Sequence, residues 1–272
     1  MKRIGILFHP RLEAAIALAR EFSQVGEKQG VASWLCSAWE EAEALPQVPG
    51  SDLLLSLGGD GTLLRAVRVA VPHSVPVLGI NLGRLGFMAE LGAEEARKKL
   101  PAILRGEGRM EERALLEARL PDGRSGFALN EVAVARGGVC RAIWINAWVD
   151  TEPLGSYRAD GLIVATATGS TAYALSVGGP ILYPHSQDLL LIPISPHPCR
   201  SAPLILPPDS RVELEVRTDH QAVVSLDGQR ETPLKSGDRV EVRRSQHRAR
   251  LLRTQPAGLF YRRVTDRLTG KG

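Results

Sequence analysis

Leu57-Gly58-Gly59-Asp60-Gly61-Thr62-Leu63-Leu64 is the stretch that decides the fold of this chain. An apolar, strand-like segment, 52–56, precedes the glycines, and a helix-like segment, 62–71, follows them. A glycine-rich turn between a strand and a helix N-terminus predicts an anion site, because backbone N–H groups and the helix dipole both favour negative charge there. Glycines also lack the Cβ atoms that would keep a phosphate at a distance. The candidate ligands of a phosphate donor are therefore Gly58, Gly59, Gly61 and Thr62.

Asp60 sets this turn apart from a plain phosphate cradle, because it places a carboxylate where the ligand should be anionic. Such an acid can hold a metal, hydrogen-bond a hydroxyl or accept a proton. The turn lacks the GxxxxGK[ST] pattern of a P-loop, and Leu64 stands where a dinucleotide-binding GxGxxG has its third glycine. The simplest structural alternative is a tight strand-to-helix turn in which Asp60 caps the helix.

The first 92 residues alternate between strand and helix patterns. This alternation predicts a parallel sheet with helices on both faces. Ligands of such sheets bind at the carboxyl ends of the strands, which is where the glycine turn lies. The predicted strands are 3–8, 31–36, 52–57 and 75–80, and the predicted helices are 12–28 and 62–71.

Beyond residue 110 the pattern changes to strand after strand with polar or glycine turns, which is typical of an antiparallel β domain. A helix at 94–105, interrupted by Pro101, separates the two patterns, and an amphipathic segment at 260–268 is expected to pack elsewhere. We therefore expect an α/β domain, 1–93 with approximately 250–272, and a β-rich, β-sandwich-like domain, 94–249. Its predicted strands are 114–120, 125–135, 142–150, 162–165, 211–217, 222–226 and 239–244.

The composition is that of a globular protein, with 272 residues, 44% hydrophobic and 24% charged. No apolar run approaches the ~20 residues of a membrane span, and the N-terminal apolar stretch is too short for a signal peptide. The three cysteines are far apart and odd in number, so no disulfide framework is expected. These features favour a cytoplasmic protein that binds no membrane.

Basic charge is concentrated in residues 239–272, which carry ten Lys or Arg and two Asp or Glu, while the whole chain has a net charge of +4. Such a segment can bind a nucleic acid, an acidic partner or a nucleotide, or it can simply coat the surface. No aromatic platform accompanies the arginines, so we expect no nucleic-acid partner.

Three further stretches place polar groups in apolar surroundings. Asn130-Glu131 lies within an apolar strand, where alternation puts one of the pair on the buried face, and together they suit a sugar diol or a base edge. Residues 158–180 join a buried strand to a hydroxyl-rich turn and a Ser- or Thr-capped helix, which predicts a second anion or nucleotide site. Residues 225–229 contain the Asp-Gly of a hairpin turn. The structural alternatives are an edge pair, a capped helix without ligand and a plain hairpin.

Taken together, these stretches resemble the NAD kinase family over most of the chain. The glycine turn, Asn130-Glu131, the run 160–173 and Asp227-Gly228-Gln229 stand in the order and spacing of the family, and 81–87 is similar to its segment after the fourth strand. The glycine turn alone is shared with diacylglycerol and sphingosine kinases and loosely with phosphofructokinases. Ala167 departs from the family, which usually has a proline there, and this changes the rigidity of the turn.

The resemblance implies a phosphofructokinase-like first domain and phosphoryl transfer from ATP or polyphosphate to the adenosine 2′-hydroxyl of NAD, giving NADP. It implies Asp60 as the catalytic base, Mg²⁺ or another divalent metal with unassigned ligands, and a homo-oligomer, dimer or tetramer, in which Arg158 and Asp160 can serve a neighbouring subunit. The residues expected to bind NAD are Asp60, Gly61, Asn130, Glu131, Arg141, Arg158, Asp160, Thr171, Ala172, Tyr173, Ala174, Leu175, Ser176 and Gln229.

Two alternatives remain at this point. A lipid or sugar kinase could use the same glycine turn, although no amphipathic helix with a strong basic face is evident for a lipid surface. A non-catalytic dinucleotide sensor would bind NAD without turnover, even after an Asp60→Asn change. The sequence leaves open ATP against polyphosphate and NAD against NADH.

Overall fold

The computed structural model describes residues 1–83, 86–138, 141–197, 201–256 and 258–269. Arg84 and Leu85 of the 81–87 segment lie outside the described residues, as do Cys140 and Cys199. The chain divides into two compact units, Met1–Glu112 with Ala249–Gly272, and Arg113–Arg248.

The α-helices are α1 (Glu13–Lys28), α2 (Glu41–Ala44), α3 (Asp60–Ala70), α4 (Ala93–Leu104), α5 (Tyr173–Ser176) and α6 (Leu259–Leu268), and the 3₁₀ turns are Leu45–Gln47, Val71–His73 and Gly169–Thr171. No helix within the described ranges is long and apolar enough to cross a membrane. The strands are β1 (Arg3–Phe8), β2 (Ala32–Ser37), β3 (Leu53–Gly58), β4 (Val77–Asn81), β5 (Leu91–Gly92), β6 (Arg109–Arg119), β7 (Ser125–Ala128), β8 (Glu131–Arg136), β9 (Ile143–Val149), β10 (Glu152–Ala159), β11 (Gly161–Ala165), β12 (Leu189–Ile194), β13 (Leu204–Leu206), β14 (Arg211–Arg217), β15 (Ala222–Leu226), β16 (Arg230–Leu234) and β17 (Arg239–Arg253).

The first unit is built on a parallel sheet in the order β4-β3-β1-β2, as the alternating sequence pattern predicts. Strand β3 is buried along its whole length, because helices cover both faces of such a sheet. The end of β17 adds to this sheet through a parallel pairing of Leu251 with Val77. The predicted return of the C-terminal segment to the first unit is therefore confirmed.

Helix α4 belongs to the first unit, whereas the sequence-based boundary after residue 93 places it in the second. The expected interruption at Pro101 is wrong, since α4 continues through this residue to Leu104. A proline removes one helical hydrogen bond, but Leu100, Ile103 and Leu104 are buried in the core of the unit. Burial of this apolar face outweighs the loss of one bond in the last turn.

The second unit is a β sandwich, as predicted. One sheet has six antiparallel strands in the order β13-β12-β11-β8-β15-β16. The facing strands include β9, β10, β14 and the first part of β17. A single apolar core, which includes Val132, Val164 and Val224 of the first sheet and Ile145 and Val212 of the second, lies between them.

The sequence pattern misses β10, β12, β13 and β16. Pro153 and Gly155 in β10 read as turn residues, but the structure accommodates them with an irregularity in the pairing of β10 with β9. The predicted strand 125–135 is also wrong, because it is divided into β7 and β8.

A buried ionic cluster fastens the end of β17 within the first unit. The Arg253 guanidinium donates from Nε to Glu111 at 2.9 Å and from Nη1 to Glu90 at 3.2 Å, and it also donates to the Met88 carbonyl at 2.8 Å. The Glu90 carboxylate in turn accepts the backbone N–H groups of Thr254 and Gln255. The three charged side chains are 5%, 6% and 2% exposed, so each depends on the others for its solvation.

We expect Arg253→Met to lower the free energy of unfolding by about 3–5 kcal/mol, because it removes the guanidinium that two buried carboxylates share, although the ion pair of Glu111 with Arg109 remains. The matched control is Arg243→Met, which removes an exposed arginine from its ion pair with Glu117 and should cost less than about 1 kcal/mol. Urea unfolding of both variants measures the difference, and equal losses would contradict the role given to the buried cluster.

Candidate functional site

The glycine turn joins β3 to α3 and contains glycines with different surroundings. A Cβ at Gly58 would lie 2.3 Å from the Thr62 hydroxyl oxygen, so this glycine is required by packing within the turn rather than by access for a ligand. A Cβ at Gly59 would meet no atom within 4 Å. Gly59, with extended backbone, is also the residue from which α3 begins. The open approach that the sequence predicts is therefore observed at Gly59.

Asp60 is the first residue of α3 and not its cap, so the capping interpretation is wrong. Its carboxylate accepts the backbone N–H groups of Phe87 at 3.2 Å and Ala89 at 3.3 Å. A Cβ at Gly86 would lie 2.1 Å from Asp60 Oδ2, so the segment after β4 can approach only as glycine. Asp60 is thus oriented by a segment more than 25 residues away in sequence.

Asn130 and Glu131 lie where the chain passes from β7 to β8. The Asp227 carboxylate accepts three consecutive backbone N–H groups there, from Leu129 at 3.0 Å, Asn130 at 2.7 Å and Glu131 at 3.2 Å. A strand cannot give three successive N–H groups to one side, so the predicted strand breaks at this point. Alternation then no longer applies, and both Asn130 and Glu131 are buried, at 7% exposure each.

Thr166 binds the backbone carbonyl groups of Leu129 and Asn130 at this break. Its hydroxyl donates to the Leu129 carbonyl at 2.6 Å, and its backbone N–H donates to the Asn130 carbonyl at 2.9 Å. A Cβ at Gly169 would lie 2.0 Å from the Asn130 carbonyl oxygen, so the turn after β11 also needs a glycine. The Asn130-Glu131 pair is therefore held by tertiary contacts on both of its backbone faces.

Asp227 is a site residue that the sequence analysis did not assign. It forms the predicted hairpin turn with Gly228, and both have positive φ, 54° and 63°, as a primed turn between β15 and β16 requires. Its carboxylate is the acceptor that creates the break between β7 and β8. Nothing in a local Asp-Gly pattern indicates a partner almost one hundred residues away, so the sequence carries no signal for this role.

The environment of Glu131 raises the pKa of its carboxyl to about 8. Burial is the largest cause, and the charge of Asp227 adds to it, whereas a hydrogen bond from the Tyr173 backbone N–H acts in the opposite direction. Glu131 Oε2 and Asn130 Oδ1 are buried and have no hydrogen-bond partner among the residues that the structure describes. Such atoms are costly unless a ligand or solvent satisfies them, so these two oxygens mark a polar binding position.

The predicted capped helix after β11 is wrong. The chain forms a 3₁₀ turn, Gly169–Thr171, and then the four-residue α5, with no side-chain cap. The Ser170 hydroxyl donates to the Ala167 carbonyl and accepts from the Leu182 N–H, and the Thr171 hydroxyl donates to the Thr168 carbonyl. The hydroxyls therefore shape the turn, and so short a helix provides no dipole site for an anion.

The second unit divides the predicted NAD-binding residues into two groups. Asn130, Glu131, the 171–176 turn and Gln229 lie at one end of the six-stranded sheet, because Ala165 pairs with Glu131 and Gln229 follows β15. Arg158 and Asp160 lie at the other end, where Gly161 pairs with Ala135. Four residues along a strand separate the two groups by about 13 Å.

Arg141 lies with the second group. Asp160 forms an ion pair with Arg136 at 2.8 Å, and Arg141 Nη1 lies 3.1 Å from His220 Nε2. These two arginines line a pocket of about 640 Å³ together with His220 and Lys235. The structure therefore does not bring Arg141, Arg158 and Asp160 to Asn130 and Glu131 within this unit.

The described part of the chain contains no preformed protein site for a divalent metal. No group of three or more His, Cys, Asp or Glu side chains there could hold one. The donor set expected of a tightly bound Ca²⁺ or Zn²⁺ is thus missing from the described residues, whereas Mg²⁺ often keeps water and phosphate ligands.

A glycine turn at the carboxyl end of a parallel sheet and a buried carboxamide–carboxylate pair on a β sandwich place the chain among nucleotide-dependent phosphotransferases. The family model for the ATP-NAD kinase N-terminal domain matches residues 11–108, and that for the ATP-NAD kinase C-terminal domain matches residues 129–254. The chain belongs to the NAD kinase family, and its activity is the ATP-dependent phosphorylation of NAD to NADP.

Relatives support this assignment along the whole chain. An NAD kinase of Dehalococcoides mccartyi is 41% identical over 99% of this chain and 96% of its own. One from Chloroflexus aurantiacus is 40% identical, with coverages of 98% and 99%. Among solved structures, yeast NADH kinase complexed with NADH has a TM-score of 0.88 at 26% identity, covering 99% of this chain and 88% of its own. An NAD kinase from Archaeoglobus fulgidus in complex with ATP has a TM-score of 0.80 at 26% identity, with coverages of 99% and 100%.

We expect Asp227→Ala to lower the free energy of unfolding by about 3 kcal/mol or more, because three buried N–H groups lose a charged acceptor. The matched control is Asp122→Ala, in the exposed Asp-Gly turn between β6 and β7, where the carboxylate accepts a single backbone N–H, from Arg124. Its cost should stay below about 1 kcal/mol. Urea unfolding compares the two variants, and similar midpoints would remove Asp227 from the role described.

Proposed function

We propose that Asn130 and Glu131 bind the acceptor NAD through its hydroxyl or base-edge donors. The observation that carries this proposal is that Asn130 Oδ1 and Glu131 Oε2 are buried without a hydrogen-bond partner in the described part of the chain, although the backbone N–H groups of both residues are hydrogen-bonded. Both atoms accept hydrogen bonds, and ribose hydroxyls are donors of the matching kind. The backbone turn 171–176 and Gln229, at the same end of the sheet, would complete this group of NAD ligands.

We propose Asp60 as the base that takes the proton of the 2′-hydroxyl. A hydroxyl is a poor nucleophile until a positioned acceptor removes its proton, and an oriented carboxylate can do so. The N–H groups of Phe87 and Ala89 hold the Asp60 carboxylate in one orientation. The N-terminus of α3, which is open at Gly59 and continues through Gly61 and Thr62, would receive the donor phosphates.

We expect Asp60→Asn to reduce kcat by about 10²- to 10⁴-fold while NAD affinity changes less than about threefold, because the amide keeps the shape of the side chain and one acceptor oxygen but cannot take the proton. The matched control is Asp52→Asn, since the Asp52 carboxylate also accepts two backbone N–H groups, those of Lys2 and Arg3. Steady-state kinetics and calorimetric titration with NAD measure both quantities. Full activity in Asp60→Asn would exclude the base, and an inactive parent that binds NAD would favour a sensor.

Because the pKa of Glu131 is raised, we expect the affinity for NAD to depend on pH. An ionised carboxylate accepts a hydroxyl hydrogen bond more strongly than a neutral carboxyl does, so binding of NAD favours the ionised form of Glu131. We expect NAD affinity to rise with pH below about pH 8, by at most about tenfold per unit, and to level off above it. Glu131→Gln should flatten the profile, whereas Glu231→Gln, on the exposed side of β16, should keep it. A parent affinity that is constant from pH 6 to 9 would contradict the proposal.

We further propose a homo-oligomer, dimer or tetramer, in which Arg141, Arg158 and Asp160 contact the NAD bound by a neighbouring subunit. Support comes from the separation of these residues from Asn130 and Glu131 within one sheet. Arg158 is exposed on β10, where a second subunit could approach it.

Mg²⁺ or another divalent metal would arrive on the phosphates of ATP, where its charge would neutralise that of the transferring group. In support, no group of three or more possible metal-binding side chains occurs among the described residues.

We also propose a cytoplasmic protein without membrane or nucleic-acid partners. Several arginines of β17 are committed to carboxylates of their own unit, namely Arg239 to Glu213, Arg243 to Glu117 and Arg244 to Asp209. This pairing favours a solvated surface over a nucleic-acid site.

A further inference from the structure

An aromatic and cationic cluster lies at the carboxyl ends of β1 and β2, next to the glycine turn. The Trp39 ring has the Arg65 guanidinium over its face, 4.5 Å from the centroid, and the His9 ring against its edge, also at 4.5 Å. Trp39 is 38% exposed, so part of its ring is accessible while Arg65 and His9 contact it. An accessible aromatic ring beside a candidate phosphate site can stack a nucleobase.

The topology connects this cluster to the donor end of the glycine turn. The His9 backbone N–H donates to the Leu57 carbonyl, and His9 Cβ lies 3.2 Å from the position of a Cβ at Gly58. Ala38 donates to the Phe8 carbonyl, which places Trp39 one strand further along the same edge. Two strand spacings separate Trp39 from the turn by about 10 Å, which suits the reach of a triphosphate and ribose.

The charges of the cluster suit a phosphate chain. Arg65 and Arg68 both contact the Glu41 carboxylate, at 3.7 Å and 2.5 Å, and the Arg65 contact is the longer of the two. His9 Nδ1 accepts the Arg11 backbone N–H, which puts the ring proton on Nε2, where it can be donated to a phosphate oxygen. Arg65 lies on α3 just beyond its open N-terminus, so one helix presents both the N–H groups and the guanidinium.

We propose that Trp39 is the stacking platform for the base of the donor nucleotide, and that Arg65 and His9 bind its phosphate chain. This inference rests on the proposed use of the glycine turn for the donor. A π-face can stack any nucleobase but does not recognise a bare polyphosphate, whereas the Arg65 guanidinium and the His9 N–H can bind the phosphates of both kinds of donor. Trp39 would therefore separate nucleoside triphosphates from inorganic polyphosphate as donors, and it is a positioning residue that takes no part in proton transfer.

The test compares ATP with inorganic tripolyphosphate, which has the phosphates but no base, used as an inhibitor competing with ATP. Trp39→Ala should raise the KM for ATP at least about tenfold, with kcat and the KM for NAD unchanged, and should leave the Ki of tripolyphosphate within about twofold. Arg65→Gln should weaken ATP and tripolyphosphate together. Trp39→Phe, which keeps a π-face, should restore most of the ATP affinity, and calorimetric titration of ATP should follow the same order.

The matched control is Trp148→Ala, which removes another tryptophan with an arginine over its ring, Arg239 at 5.2 Å, in the second unit. Trp148→Ala should change neither the KM for ATP nor the Ki of tripolyphosphate. Thermal melts of all variants check that they fold. The proposal would be overturned if Trp39→Ala weakened the binding of ATP and of tripolyphosphate equally, or changed neither. If Asp60→Asn loses turnover while Trp39→Ala binds ATP normally, the donor platform fails and the proposed function stands.

Discussion

The acceptance of three consecutive N–H groups by the Asp227 carboxylate is the interaction on which the second unit depends. It ends β7, starts β8 and turns Asn130 and Glu131 away from the alternation of a strand. The same negative charge, close to a buried carboxyl, helps to raise the pKa of Glu131 to about 8. One side chain thus sets the backbone geometry at Asn130 and Glu131 and influences the protonation of Glu131, which is why a local hairpin residue has consequences far from its own turn.

The first unit uses a carboxylate in a related way. Asp60 gathers the N–H groups of Phe87 and Ala89 and so ties the segment after β4 to the start of α3. In both units an aspartate at the end of a strand organises a distant loop, and a glycine allows the close approach, Gly86 in one and Gly169 in the other. The glycines that look like a phosphate signature in sequence are therefore partly a packing signature, as Gly58 against Thr62 shows.

Sequence reasoning succeeded where local pattern and burial agree. Strands β1, β14 and β15 have the predicted bounds, and the parallel and antiparallel halves are assigned correctly, because period and turn residues are local properties. It failed where a tertiary contact overrides the pattern. The strand at 125–135 is broken by Asp227, α4 continues through Pro101 on the strength of its buried face, and the hydroxyls after β11 bond to their own turn instead of capping a helix. The predicted site residues rest on motifs and on a family resemblance, whereas the contacts of Asp227, Trp39 and Arg65 are visible only in three dimensions.

The strand β17 gives the chain a folding order that differs from its order of synthesis. Residues 249–253 supply a parallel neighbour for β4 and the guanidinium that neutralises Glu90 and Glu111, all within the first unit. During translation the second unit, Arg113–Arg248, is therefore complete before the first receives its last strand. A nascent chain that lacks residues 249–253 would leave the edge of β4 without its parallel neighbour and Glu90 and Glu111 without the Arg253 guanidinium, so a segment made after the second unit completes the assembly of the first.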